Sequence, residues 1–136
     1  MNFNNQQFLV INALVDGIFP RTPDSPAASD LSVPEMFVDI AKTWETHIFL
    51  ATANALDIIN SISLSIFSLP IHKLDTASLA VITNTVATNN DLKPFWEPFR
   101  MLIAIIYYAL PPAYEAIGMP GPSIDNGGFT PDGYPV

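Results

Sequence analysis

Apolar residues recur every three or four positions along most of the chain, a spacing that predicts amphipathic α-helices. The first helix is predicted over residues 6–19, with Asn4 or Asn5 as its N-cap and Pro20 immediately after it. Its predicted apolar face consists of Phe8, Ile11, Leu14, Val15 and Ile18. Residues 20–32 are rich in proline and show no periodicity, which predicts an extended loop.

Capping and breaking residues mark the next helices. Residues 32–35, Ser-Val-Pro-Glu, have the spacing of a capping box with proline in the first turn, so they predict a second helix start. The apolar pattern then continues to Ser68 without a breaker, and the sequence leaves open whether it forms one helix or two. Asp75 is predicted to cap a helix from Thr76 to about Thr88.

The last long helix is predicted over residues 94–110, because the proline pair at 111–112 breaks it. One more turn is predicted over residues 113–117, with Gly118 as its C-cap. The chain after Gly118 contains many Gly and Pro residues and no helical periodicity. We expect it to form an extended arm.

Alternation of polar and apolar residues, the pattern of a half-buried strand, is scarce throughout the chain. The predicted fold class is therefore all-α, an irregular bundle of four to five helices with a proline-rich loop after the first helix. Trp44 and Leu79 are predicted core residues. We expect one helical domain over residues 1–118, followed by the Gly- and Pro-rich C-terminal arm over residues 119–136.

Charge and composition narrow the classes of function. The 136 residues include 5 basic and 13 acidic side chains, which gives a net charge of −8. Such an acidic chain is not expected to bind nucleic acid or anionic lipid, because both attract Lys and Arg. Cysteine is absent, which excludes disulfides and cysteine-ligated metals within this chain. Only 13% of residues are charged, so we expect surface area that a partner covers.

The longest apolar stretch, residues 48–67, has the length of a membrane span. Asp57 lies at its centre among Asn and Ser residues, and a central Asp costs roughly 2.5–3.5 kcal/mol on insertion scales. We therefore expect a buried helix rather than a transmembrane span. The N-terminus lacks the basic region and cleavage site of an export signal, so a removed signal, export with a partner and a cytoplasmic location all stay open.

Residues able to carry out chemistry are few. His47 and His72 lie far apart in sequence, and no phosphate-binding, nucleophile or zinc motif occurs. Asp57 is a candidate acid or base if apolar neighbours bury it, and the alternative places it on a polar stripe with Asn60 and Ser61. No catalytic, cofactor-binding or metal-binding residue is predicted.

The fifth helix carries aromatic side chains on more than one face. Phe95 and Trp96 are adjacent, so one neighbouring helix cannot bury both of them. Arg100 is expected to form an ion pair with a nearby carboxylate such as Glu97. Beyond this helix, large side chains lie on a backbone that is costly to order, so they need a surface on the bundle or on a partner. These side chains are Tyr114, Met119, Phe129 and Tyr134.

Two segments of the chain resemble a known family. "INALVDGIFPRTPDSPAASDLSVPEMFVD" and "FWEPFRMLIAIIYYALPPAYEAIGMPGPSIDNGGF" are similar to the gluconate 2-dehydrogenase subunit 3 family. The shared features are a helix that ends in Ile-Phe-Pro, a loop rich in Pro and Asp, a Val-Pro helix start and an Arg-led helix with paired aromatics. A Gly-x-Pro-Gly-Pro tail follows. Ile106 stands where a small residue often precedes the aromatic pair, and the twin-arginine signal of many members is absent.

The resemblance implies an accessory role. Members are small subunits of flavin-dependent sugar and polyol dehydrogenases, in which a large flavoprotein subunit holds FAD and carries out the hydride chemistry. The small subunit assists folding and export, and a cytochrome is a further candidate partner as electron acceptor. The resemblance thus implies no cofactor in this chain, FAD in the partner subunit, a heterodimer or larger complex, and a periplasmic location, with the cytoplasm as the alternative.

The predicted interface with the large subunit combines the aromatic face of the fifth helix with the arm. It comprises Trp96, Arg100, Tyr107, Tyr108, Tyr114, Met119, Pro120, Gly121, Pro122, Phe129 and Tyr134. We expect the arm to embrace the catalytic subunit. Two other functions stay open at this stage: a standalone helical enzyme or ligand-binding protein that uses Asp57, His47 and the Tyr107–Tyr108 face, and a membrane-associated helical protein.

Overall fold

The computed structural model describes residues 2–112, which form five α-helices and two short 3-10 turns. The helices are α1 (Asn5–Ile18), α2 (Val33–Ala41), α3 (Thr46–Phe67), α4 (Thr76–Thr88) and α5 (Lys93–Ala109), and the 3-10 turns are Ala28–Asp30 and Ile71–Lys73. The predicted all-α bundle is confirmed. The predicted turn at 113–117, its cap at Gly118 and the arm after it lie outside the described residues.

Helix α1 lies at the centre of the bundle and packs against α2, α3 and α4. The Asn4 side chain accepts a hydrogen bond from the Gln7 backbone N–H at 2.7 Å, and the Gln7 side chain accepts one from Asn4 N–H at 2.9 Å. This reciprocal capping box confirms the predicted N-cap at Asn4. The fully buried side chains around α1 are Val10, Ile11, Leu14, Val15, Val33, Phe37, Leu56, Ile59, Ile71, Ile82, Val86 and Ile103.

Helix α2 begins at the predicted position but without the predicted capping box. The Ser32 side chain makes no cap hydrogen bond, because its backbone (φ −80°, ψ 24°) lacks the extended conformation that an N-cap uses. The start is instead set by Pro34 in the first turn and by the preceding 3-10 turn. The capping-box interpretation of residues 32–35 is therefore wrong, although the helix start is right.

A break between α2 and α3 settles the question that the sequence left open. The Thr43 hydroxyl donates to the Ile40 carbonyl at 2.7 Å, and Trp44 N–H bonds to the Ala41 carbonyl at 3.1 Å, so the last turn tightens. Glu45 then adopts extended backbone (φ −61°, ψ 149°) as the N-cap of α3. Two helices therefore form although neither Gly nor Pro separates them.

Helix α3 is long and apolar enough to cross a membrane by length and composition, with a mean hydropathy of 1.3 over its most apolar window. In the bundle it contributes Leu56 and Ile59 to the core. It ends at Ser68, whose φ of 58° is left-handed, and the buried Asn60 side chain accepts a hydrogen bond from Ile71 N–H at 3.0 Å. Buried core helices share the length and composition of α3, so these features by themselves do not indicate a membrane span.

Helices α1 and α4 cross closely at Gly17. A Cβ at this position would overlap the Thr83 hydroxyl oxygen and lie 3.2 Å from the Thr83 Cβ. The Thr83 hydroxyl is held in place because it donates to the Leu79 carbonyl at 2.8 Å. The absence of a side chain at Gly17 thus permits the close approach of the two helices.

Phe37, and not Trp44, is the aromatic residue at the centre of the core. Its ring is fully buried and contacts Phe99 at 4.9 Å and Trp44 at 5.7 Å between ring centroids, both edge-on. Trp44 itself is only partly buried, and so is Leu79 on α4. The prediction that both are core residues is corrected: they pack against the margin of the core.

Candidate partner interface

The two segments that carry the family resemblance meet in space where α1 and α5 end. Phe19, the C-cap of α1, stacks on the Tyr107 ring at 4.2 Å between centroids. The Tyr108 ring meets Phe19 edge-on at 5.3 Å. This aromatic contact brings the proline-rich loop after α1 against the last turns of α5.

Tyr107 anchors that loop from inside the bundle. Its hydroxyl donates a hydrogen bond to the Pro26 carbonyl at 2.7 Å, and only 3% of the residue is exposed. Burial raises the pKa of Tyr107 above its ordinary value, because the charged phenolate would be poorly solvated there. Tyr107 is therefore a neutral structural group at any pH near neutrality.

Carboxylates hold the loop at two further points. Asp16 on α1 accepts hydrogen bonds from the backbone N–H of Ser29, at 2.7 Å, and from its hydroxyl. Asp30 accepts hydrogen bonds from two nitrogens of the Arg21 guanidinium and from the Ala27 backbone N–H at 3.0 Å. The loop predicted as extended is therefore tied to its own bundle, so it presents a defined surface.

These acidic residues predict how stability depends on pH. The pKa of Asp30 lies below its ordinary value because the Arg21 guanidinium hydrogen-bonds to it, and the pKa of Asp75 is lowered because Ser78 N–H does the same. A carboxyl group with a depressed folded-state pKa stabilises the fold above its unfolded pKa, here 3.8, and loses that effect as pH falls through the folded pKa. We expect the melting temperature to fall below about pH 4 and to fall less steeply in the Asp30→Asn/Asp75→Asn variant. If the melting temperature of the variant and of the wild type falls equally between pH 7 and 2.5, these two carboxylates are not the cause of the acid destabilisation.

An exposed apolar strip runs the length of α5. The strip consists of Pro94, Pro98, Met101, Ile105 and Tyr108, which follow one another at helical spacing and face solvent. Met101 is 61% exposed, Ile105 62% and Tyr108 40%. On the opposite face of the helix the buried side chains are Trp96, Phe99, Ile103, Ile106 and Tyr107. We call the exposed set the α5 strip; contiguous exposed apolar side chains are typical of a binding surface.

Arg100 borders the α5 strip and does not form the predicted ion pair with Glu97. Glu97 instead lies 3.7 Å from the Lys93 ammonium, one turn earlier on the helix. Within residues 2–112, Arg100 makes no ion pair, and its side chain is exposed. Arg100 is therefore positioned to meet a group outside the described bundle.

The structure separates the interface residues predicted on α5 into two groups. Trp96 is 5% exposed and Tyr107 3%, so their rings belong to the bundle's own core in this conformation. Arg100 and Tyr108 face solvent. The other predicted interface residues, which are Tyr114, Met119, Pro120, Gly121, Pro122, Phe129 and Tyr134, lie outside the described residues.

Sequence reasoning did not identify Met101 and Ile105, although they are the most exposed large apolar side chains on α5. Their signal is present in the sequence: both lie out of phase with Phe99, Ile103 and Ile106, which the structure buries. An apolar residue on the outer face of a nearly all-apolar helix is hard to distinguish from a core residue without the packing partners. The strip is therefore a finding of the structure.

A second surface without charged side chains lies on α4. Helix α4 contains no Asp, Glu, Lys or Arg. The exposed hydroxyls of Ser61, Thr85 and Thr88 donate to carbonyls of their own helices at 2.8–3.0 Å. Because these donors are already satisfied, a partner that covers them incurs little desolvation cost.

The residues proposed for a standalone enzyme do not form a site. Asp57 is exposed, and its carboxylate accepts hydrogen bonds from the Gln7 amide at 3.2 and 3.4 Å. Ser61 is exposed as well, but Asn60, predicted on the same polar stripe, is buried. His47 is exposed and 3.5 Å from Glu45. Ten residues of helix separate His47 from Asp57, about 15 Å along the axis. Among residues 2–112, no three His, Asp or Glu side chains gather as metal ligands would.

The described residues thus form an all-α bundle with an exposed apolar strip along α5 and no charged side chain on α4. The family model of gluconate 2-dehydrogenase subunit 3 matches residues 5–121. The chain therefore belongs to the gluconate 2-dehydrogenase subunit 3 family, which confirms the resemblance. No curated protein and no solved structure matches the chain.

Proposed function

We propose that this chain is the non-catalytic small subunit of a flavin-dependent sugar or polyol dehydrogenase. In this role it binds and stabilises the FAD-containing catalytic subunit and assists its folding. Family membership supports the assignment to a dehydrogenase complex. The α5 strip is the single observation that carries the binding role, because Met101 and Ile105 expose more than half of their surface on an otherwise well-packed helix.

The chemistry of the strip fits a protein partner. It is apolar over about four turns of helix, and the exposed charged residues of the same helix are Lys93, Glu97 and Arg100. Interfaces combine a charge-poor centre, rich in aromatic residues, Met and Arg, with a polar rim, and Tyr108, Met101 and Arg100 match that composition. FAD and the groups that oxidise the CH–OH substrate then belong to the catalytic subunit.

Co-expression with the catalytic subunit from the same source tests this function. Ile105→Asp removes an exposed apolar side chain from the centre of the strip and leaves the core untouched. Burial of one such side chain is worth about 1.5–3 kcal/mol, so association should weaken ten- to hundredfold. The yield of flavin-loaded catalytic subunit should fall with it, as measured by pull-down and by flavin absorbance.

Leu64→Asp is the matched control, because Leu64 is 45% exposed near the far end of α3 and lies outside the strip. This variant should bind as the wild type does. The proposal fails if the wild-type chain never co-purifies with the catalytic subunit and flavin loading is the same with and without it. Equal weakening by both variants would instead show that the strip is not the contact.

A further inference from the structure

An aromatic groove opens beside the α5 strip, between α2, α3 and α5. Its walls include Phe37, Trp44, Ile48, Phe95, Pro98 and Phe99, and its volume is about 340 Å³. This volume falls in the range of ligand pockets, about 300–1,000 Å³. Phe95 lines the groove because it stacks on Phe99 at 5.0 Å and stays only partly buried, while the adjacent Trp96 fills the core.

The groove continues along α3. A second depression of about 340 Å³ shares Ile48 and Phe95 with the first and extends past Asn54 to Ile58. The two together form an elongated trough rather than a closed cavity for a small molecule. An elongated apolar trough with aromatic walls suits an extended or helical segment that inserts two or three side chains.

Carboxylates border this trough. Asp91 lines the second depression, and the Glu45 carboxylate lies 3.5 Å from the ring of His47, which lines it as well. The Glu45 side chain is 77% exposed, so a partner segment can reach it. Asp91 makes no ion pair within residues 2–112. The exposed Glu45 and Asp91 carboxylates therefore make this border acidic.

This charge selects among the possible occupants. Residues 113–136 of this chain contain Glu115, Asp125 and Asp132 and no Lys or Arg, so their charge opposes docking at an acidic border. A second copy would bring another net charge of −8. A partner segment with apolar side chains and flanking Lys or Arg meets both the aromatic walls and the acidic border.

We propose that the aromatic groove between α2, α3 and α5 receives a single apolar segment of the catalytic subunit that is flanked by basic residues. The inference rests on the proposed function and adds the chemistry of the partner's docking segment. Trp44, Phe95 and Pro98 contact its apolar side chains, while Glu45 and Asp91 attract its flanking cations.

Ile48→Lys tests the groove with the full-length chain co-expressed with the catalytic subunit. Ile48 is 45% exposed and lines both depressions, so Lys at this position removes apolar contact and repels a basic segment. Association should weaken at least tenfold. Ile66→Lys is the matched control, since Ile66 is 51% exposed on the same helix but outside the groove, and it should bind within twofold of wild type.

Ionic strength tests the charge component. Binding of the wild-type chain should weaken as salt rises from 50 to 300 mM, because screening shortens the reach of surface charges from roughly 14 to 6 Å. The Glu45→Gln/Asp91→Asn variant should bind more weakly at low salt and lose most of this dependence. Unchanged salt dependence in that variant would overturn the basic character of the segment.

The outcomes separate this inference from the function on which it rests. Failure of the wild-type chain to bind any catalytic subunit refutes both. Wild-type binding with Ile48→Lys equal to Ile66→Lys refutes the groove alone. Non-additive melting-temperature changes for Ile48→Lys and Phe129→Ala in the isolated full chain would show that its own arm fills the groove, which also overturns the inference. A dimer of the isolated chain that the Ile48→Lys substitution dissociates would also overturn the inference.

Discussion

Truncation after Gly118 is expected to weaken association with the catalytic subunit at least a hundredfold, while the melting temperature of the isolated chain changes little. The removed arm carries the rings of Phe129 and Tyr134, and no other large ring follows Gly118. Burial of each ring in an interface is worth roughly 1.5–3 kcal/mol, and each 1.4 kcal/mol is tenfold in affinity. This prediction rests on the sequence of the arm, which lies beyond the described residues.

The Phe129→Ala/Tyr134→Ala variant is the matched control for truncation, because it keeps the arm at full length. It should lose most of the affinity that truncation loses, since the glycine-rich backbone contributes little apolar area. Binding can be measured by surface plasmon resonance and stability by thermal unfolding. A truncated chain that binds with unchanged affinity would show that the arm does not contact the catalytic subunit. A truncated chain that unfolds many degrees lower when isolated would show that the arm packs on its own bundle.

Gly17→Ala is expected to destabilise the bundle, against the usual preference of helices for alanine. In a helix interior that preference favours Ala by roughly 0.5–1 kcal/mol. Here the new Cβ would overlap the Thr83 hydroxyl oxygen, and overpacking of this kind typically costs about 1–3 kcal/mol. The β-branched Thr83 cannot rotate away freely, because its rotamers in a helix are few and its hydroxyl bonds to Leu79.

Urea unfolding of Gly17→Ala should therefore show a lower midpoint with an unchanged slope. Combination with Thr83→Ala removes the overlapping oxygen and leaves only a tight 3.2 Å contact, so the double variant should recover most of the loss. Stabilisation by Gly17→Ala alone would mean that α1 and α4 do not cross as closely as described.

The helix ends could be predicted where a local side chain sets them. Asn4 and Asp75 cap the helices that they precede, and each makes the hydrogen bond that its position implies. Ser32 has the same sequence signature yet makes no cap bond, because the 3-10 turn before it fixes a different backbone angle. Local patterns thus predicted which helices form better than how each begins.

The surface could be predicted less well than the helices, because exposure depends on contacts between distant segments. Trp96 and Tyr107 are each adjacent in sequence to an exposed residue. Only the packing of α5 against α2 and α4 shows that these two rings face inward. The aromatic groove joins residues of three helices, so no local pattern contains it. The low content of charged residues could be read from the sequence. In the structure, α4 is a helix without any charged side chain.

Native mass spectrometry of this protein, purified from its own source, tests the central claim most directly. We expect a complex of this chain with one larger chain, and a mass increment on the larger chain that matches FAD. Dissociation in the gas phase should release this chain without the flavin. A chain that purifies alone, or that carries a flavin itself, would contradict its assignment as the non-catalytic partner of a flavoprotein.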